Sequence, residues 1–167
     1  MNTVIDAIYR MYVHDLFSYA RHLGFEREVA MDAIHDVFYK LCLDKNRLSQ
    51  VTNIRFYLLR ALKNRLLNIS DHERETVGLS AGETADERPF TIHVTVEDIM
   101  IQAEEDRQIR SKVEKLLAML TDRQREIIYL RYMQECEYEE IARIMHITVP
   151  ACRKLLHKAM MKLREKR

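Results

Sequence analysis

Seven lysines and arginines and a single acid fall within residues 153–167. They follow the run Tyr138-Glu-Glu-Ile-Ala-Arg-Ile-Met-His-Ile-Thr-Val-Pro-Ala-Cys, which reads as a short amphipathic helix, a break at His146-Ile147 and the start of a second helix. Thr148 can serve as the N-cap of that second helix, and Pro150 sits in its first turn, where a missing N–H is no loss. Ala142 is small where the two helices would cross, and Ile141, Ile147, Cys152 and Leu156 can fill the space between them. The spacing predicts a helix-turn-helix whose second helix, running to about Lys166, can enter a major groove about 12 Å wide. Its candidate DNA contacts are Thr148, Arg153, Lys154, His157, Lys158 and Lys162, with Arg164 also outward. Each phosphate they neutralise would release condensed counterions and add roughly 0.9 to the log–log salt slope. A charge run alone is usually a solvated face; the helix-turn-helix spacing is what favours DNA contact.

The elements that must position these residues are helical. The 167-residue chain has 3 Gly and 2 Pro, too few turn-formers for a sandwich of many short strands. It is rich in Leu, Met, Ala, Glu, Lys and Arg, which lose little rotamer freedom in a helix. The expected fold class is all-α: two small helical domains joined by a flexible acidic linker, the C-terminal domain a helix-turn-helix. A net charge of +1 conceals the distribution. Residues 1–69 carry a net +3, residues 70–98 a net −6 and residues 99–167 a net +4. Two of the three glycines, Gly78 and Gly82, and Pro89 lie in the acidic stretch, which lacks helical periodicity. Residues 70–98 are therefore expected to be linker, with domains at 1–69 and 99–167.

In the first domain, Ile5, Ile8, Tyr9, Tyr12, Leu16, Tyr19 and Leu23 recur at helical spacing, Thr3 and Asp6 have capping-box spacing, and Gly24 can end the helix in a left-handed conformation. A second helix is expected from about Glu26 to Leu43, burying Val29, Ala30, Ala33, Val37 and Leu41. A third should run from about Asn53 to Ile69, with Ile54, Leu58, Ala61 and Leu62 inward and Arg55, Arg60, Lys63 and Asn64 largely outward. In the second domain a helix from roughly Val96 to Met119 precedes Thr121-Asp-Arg-Gln, a capping box for a helix ending near Gln134.

Several function classes are excluded by what is missing. The seven histidines show no HxxxH, HExxH or bundle pairing, and there is no GxSxG or GxxxxGK motif, so neither a metal, a cofactor nor a catalytic residue is expected. Cys42, Cys136 and Cys152 lack CxxC spacing and read as small buried thiols in a reducing compartment. Asp6 and Arg10 interrupt any signal-length apolar core, and no apolar run approaches a membrane span. A cytoplasmic, non-enzymatic binding protein without membrane insertion is the expectation.

The C-terminal half resembles region four of bacterial sigma factors, in the compact group called extracytoplasmic-function sigma factors. The resemblance is carried by Leu120-Thr-Asp-Arg-Gln-Arg-Glu-Ile-Ile-Tyr-Leu-Arg-Tyr, by Tyr138-Glu-Glu-Ile-Ala, by Ile147-Thr and by Arg153 through Ala159. Asp32-Ala-Ile-His-Asp-Val-Phe-Tyr-Lys-Leu and Leu59-Arg-Ala-Leu-Lys-Asn-Arg-Leu-Leu-Asn are similar to helices of region two. The resemblance implies a partner, core RNA polymerase, docked on Asp32, His35, Asp36 and Phe38, although Phe38 fits a core position equally well. It implies promoter DNA as a second partner. An unstacked base of the minus-ten element would be held by Lys45, Asn46 and Arg47 before the third helix and by Arg55, Arg60, Lys63 and Asn64 on it, and the helix-turn-helix would face the minus-thirty-five element. An anti-sigma factor is a further implied partner. This sequence departs from the family pattern at His35 (usually Gln), Tyr57 (Trp), Asn68 (Asp), His146 (Gly) and Ala151 (Thr), and its Ser70-Asp-His-Glu-Arg-Glu is acidic where the family is basic. The nearest alternative is a helix-turn-helix regulator that binds DNA without acting as a polymerase subunit, which would carry an α/β domain ahead of it.

Overall fold

The computed structural model describes residues 3–44, 46–77, 90–92 and 104–166. It contains no β-strand among them. The chain divides into two compact units, Met1–Arg88 and Pro89–Arg167.

In the first unit, α1 (Thr3–His22) buries Ile5, Leu16, Tyr19 and Ala20 on one stripe. Gly24 stops it at φ 89°, donating to the Arg21 carbonyl, while Phe25 N–H reaches back to Ala20 O at 3.2 Å. That pair of bonds is a Schellman ending, and glycine adopts its left-handed backbone without steric cost. Helix α2 (Arg27–Leu43) buries Ala30, Ala33, Ile34, Val37, Phe38 and Leu41. A single turn, α3 (Arg47–Gln50), leads to α4 (Ile54–Val77), whose Leu58, Leu59, Leu62 and Leu66 are fully buried. Asn53 opens α4, its side-chain oxygen accepting from Phe56 N–H. Helices α1, α2 and α4 pack pairwise into one three-helix core. α4 runs eight residues past the expected end at Ile69. The acidic stretch after Ile69 contains Glu and Arg, both good helix formers, and no Gly or Pro before Gly78, so nothing in it breaks the hydrogen-bond ladder.

In the second unit, α5 (Glu104–Ala118) precedes α6 (Asp122–Ile128), which starts with the expected capping box. Thr121 Oγ1 accepts from Gln124 N–H, and Gln124 Oε1 accepts from Thr121 N–H. The expected single helix to Gln134 instead widens into a π-helical stretch, Tyr129–Met133, where Gln134 N–H bonds five residues back to Tyr129 O. Next come α7 (Tyr138–Met145) and α8 (Val149–Glu165). Helix α8 packs on both α6 and α7.

Phe90, in the stretch expected to be linker, is a core residue of this unit, 1% exposed and with its ring 5.6 Å from that of Tyr129. Its backbone N–H donates to Asp122 Oδ1, and its carbonyl accepts from Arg125 Nε at 2.6 Å. Arg125 also donates to the carbonyls of Leu117 and Leu120 and to Asp122. One planar guanidinium thus satisfies the end of α5, the start of α6 and the backbone at Phe90 together. Arg125→Met removes every one of these donors, although the Leu117 carbonyl keeps its bond from Leu120 N–H. A loss of roughly 2–3 kcal/mol in unfolding free energy is expected by urea denaturation, and native-state hydrogen exchange should speed up in α6 with α2 and α4 unaffected.

Candidate nucleic-acid interface

The helix-turn-helix is built by backbone geometry and three apolar contacts. Helix α7 buries Ile141, Ala142, Ile144 and Met145, and ends at His146 with φ 56° and ψ 44°. His146 is therefore left-handed, a conformation uncommon for a non-glycine residue but several-fold enriched for histidine. Ile147 N–H returns to Ala142 O at 3.0 Å, and Arg123 Nη2 donates to Met145 O, so the end of α7 is capped from α6. Thr148 then caps α8: its Oγ1 accepts from Ala151 N–H at 3.2 Å. Cys152, Leu156 and Ala159 turn inward from α8. With that stripe buried, Arg153, Lys154, His157, Lys158 and Lys162 all fall on exposed positions. The Thr148 oxygen is committed to the cap, while its O–H retains a proton to donate.

Two thiols are buried, Cys136 and Cys152, and Cys42 is exposed on α2, against the expectation that all three would be buried. Position 42 lies beyond Leu41 on the solvent side of the helix, which residue spacing alone had not separated from the core side. Burial pushes the Cys152 thiol up from its ordinary value, partly opposed by the Arg123 charge.

In the first unit, α2, α3 and α4 enclose a recess of about 190 Å³. Arg47, Tyr57 and Asn64 line it together with Lys40, Arg65 and Asn68. Arg47 Nη1 donates to Tyr57 Oη at 3.4 Å and its Nε lies 3.3 Å from Asp44 Oδ2. The hydrogen bond to Tyr57, the tyrosine charge and Asp44 raise the Arg47 pKa still further, so it is a permanent cation. Arg65 Nε donates to Asp36 Oδ2 at 2.8 Å, joining α4 to α2 at one wall. Tyr57, Ala61, Asn64 and Asn68 share one face of α4 by their four- and three-residue spacing; that periodicity is the signal by which Tyr57 and Asn68 could have been added to the expected contacts.

The other expected contacts of this unit are dispersed. Asn46 is exposed beside α3 and Arg60 is exposed on α4, but neither lines the recess. Arg55 is half-buried, its guanidinium 5.8 Å from the Tyr12 ring centre. Lys45 lies outside the described residues. Lys63 does not point outward: it is 4% exposed, because it stands one turn from Leu59 and three residues before Leu66 on the buried stripe of α4.

On α2, Asp32 and His35 are exposed, and His35 Nε2 shares a 3.2 Å hydrogen bond with the Tyr9 hydroxyl. Asp36 is tied to Arg65, so its carboxylate already has a cation. Phe38 belongs to the core: it is 6% exposed and meets Tyr9 edge-on at 5.1 Å. The exposed apolar residues of this face are instead Tyr39, 65% exposed, and Leu43, 68% exposed. They follow His35 at four-residue steps.

Residues 110–163 match the family model described as "Sigma-70, region 4". That segment of the C-terminal unit is similar to sigma-70 region 4. The resemblance read from the region 4 motifs therefore holds, and the helix-turn-helix lies inside the matched segment. Over the whole chain, the fold is similar to that of the sigma factor RpoE from Bartonella quintana, solved in complex with the anti-sigma factor NepR. That likeness has a TM-score of 0.66 at 20% identity and covers 98% of this chain and 96% of the other. It is also similar to CnrH, solved in complex with the cytosolic domain of CnrY, with a TM-score of 0.52 at 17% identity, covering 96% and 85%. No curated protein matches the sequence. Among the described residues no helix is long and apolar enough to cross a membrane.

The helix-turn-helix depends on the cap of α8. Thr148→Ala removes the acceptor for Ala151 N–H and should cost about 1 kcal/mol of stability, seen as earlier thermal loss of helix signal. Native labelling with a thiol reagent near neutral pH should modify Cys42 rapidly and leave Cys136 and Cys152 protected until unfolding.

Proposed function

We propose that this chain is a transcription initiation factor of the extracytoplasmic-function sigma class, a binding protein that directs core RNA polymerase to promoters. The observation that carries the reading is a region 4 helix-turn-helix whose recognition helix has a buried apolar stripe and an exposed cationic one. Docked in the major groove of the minus-thirty-five element, the N-terminal part of α8 meets base edges while Lys158 and Lys162 lie further along, against phosphates.

The helices of the first unit, α1 to α4, bind polymerase and the minus-ten element. Its docking face is Asp32, His35, Tyr39 and Leu43 of α2: an exposed carboxylate beside exposed apolar surface suits a partner with basic and apolar groups. The recess at Arg47, Tyr57 and Asn64 is smaller than the roughly 300–1,000 Å³ of most small-molecule sites and suits one extruded base. Extrusion costs a few kcal/mol, which stacking on Tyr57 and the Arg47 charge help offset. The acidic residues between the units tether them. An anti-sigma factor is a further partner, supported by the similarity to RpoE, which is bound to one in its solved complex.

Two double variants separate docking from reading. Asp32→Lys with Tyr39→Asp alters only exposed positions, and should weaken association with purified core polymerase at least tenfold with helix content unchanged; normal co-purification would reject the docking face. Lys158→Gln with Lys162→Gln should lower the log–log salt slope of holoenzyme binding to promoter DNA by about 2, since each lost phosphate contact removes roughly 0.9.

A further inference from the structure

We propose that Tyr138, a residue of α7 rather than of the recognition helix, is a positioning residue that sets the plane of Arg153 for reading a base edge. The inference rests on the proposed DNA-reading role of α8 and names what orients its first arginine.

Arg153 is exposed near the start of α8, where a recognition helix approaches base edges. Its guanidinium carbon stands 5.2 Å from the centre of the Tyr138 ring. Arg131 lies over the same ring at 4.7 Å. A tyrosine beside two guanidiniums is held in place by its surroundings. It opens α7 directly after Glu137, whose backbone N–H donates to Glu140 Oε1 at 2.9 Å in a capping box. Arg131 in turn donates to Cys136 O at 3.0 Å and pairs with Glu137 Oε2 at 3.4 Å. The Glu137 carboxylate offsets the Arg131 charge, which would otherwise repel Arg153 from the shared ring. Tyr132 and His157 border the same shallow cleft as Tyr138 and Arg153.

A surface arginine normally samples many rotamers, and ordering it opposes binding. Contact with an aromatic face narrows that search and leaves the edge N–H groups to donate. Those donors form the fork that recognises guanine O6 and N7 in the major groove. The ring acts through Arg153, and Tyr138 itself need not touch DNA. A lysine at position 153 would keep the charge but present no plane to the ring or the base.

The test uses full-length chain bound to core polymerase, and duplexes selected by that holoenzyme from a randomised pool. Arg153→Ala is expected to lower affinity about thirtyfold and to abolish discrimination at one G·C pair of the upstream element. Tyr138→Leu should lower affinity about fivefold and reduce discrimination at that same pair only, with the salt slope unchanged. Arg153→Lys, an exposed and conservative change, should reproduce the lost discrimination even if Tyr138→Leu folds poorly. Tyr138→Phe should restore what Tyr138→Leu loses, and Tyr138→Leu should add nothing in the Arg153→Ala background. A loss in Tyr138→Phe equal to that in Tyr138→Leu would overturn the proposal, because it would assign the effect to the hydroxyl. An undiminished Tyr138→Leu effect without Arg153 would overturn it as well, leaving Tyr138 a purely structural residue. If Arg153→Ala alone changes neither affinity nor discrimination, the DNA-reading assignment of Arg153 fails first, and the proposal with it, whatever Tyr138 does.

Discussion

Burial of Cys152, Leu156 and Ala159 against α6 and α7 is the constraint on which the helix-turn-helix depends. A helix with four lysines or arginines between residues 153 and 162 gains little by forming alone, since its like charges repel. Packing one stripe into a core fixes both the helix and its rotation, so the cations have nowhere to go but outward. The left-handed turn at His146 and the Thr148 cap act in the same direction, because they bring α8 across α7 with its first turn already satisfied. Arg125 plays a corresponding part elsewhere in the unit, gathering the end of α5, the start of α6 and the backbone at Phe90. The unit has a small apolar core, and polar capping supplies the specificity that bulk burial cannot.

The first unit solves a different problem. Its leucine-rich α4 is buried on one stripe and polar on the next, and the two stripes serve different ends. Leu58, Leu62 and Leu66 hold the three-helix core, while Tyr57, Asn64 and Asn68 line the recess with Arg47. The ion pair between Asp36 and Arg65 fixes α2 against α4 at the edge of that recess, and it is partly exposed, so its value lies in geometry more than in energy. With a Debye length of about 8 Å at physiological salt, the net positive charge of residues 1–69 and of residues 99–167 acts locally. A whole-chain charge of +1 therefore says little about what either surface attracts.

Local signals were the legible ones. The Thr121 capping box, the Thr148 cap, the Gly24 ending and the His146 turn all follow from chemistry within five residues of one another, and each appears as expected. Side chains whose environment is made by distant elements were not legible. Lys63 lies on a buried stripe, which a charged residue type does not announce; Phe38 became core because Tyr9 of α1 meets it; Cys42 faces solvent although a cysteine is usually buried. Phe90 looked like part of a tether until α6 supplied a donor and an acceptor for its backbone. Tyr138 belonged to a recognisable motif, but its contact with Arg153 needs the crossing of two helices. The π-helical stretch at Tyr129–Met133 carries no proline or glycine to mark it.

On the proposed function, polymerase turns two small helical units into one reader of two spaced DNA segments. The most direct measurement is transcription from a fragmented genomic library by purified core polymerase, with and without this chain. The account predicts discrete new start sites, present only when the chain is added, preceded by two short sequence motifs at constant separation. Identical transcripts in both reactions, or new transcripts sharing a single motif with no second element at fixed distance, would contradict it.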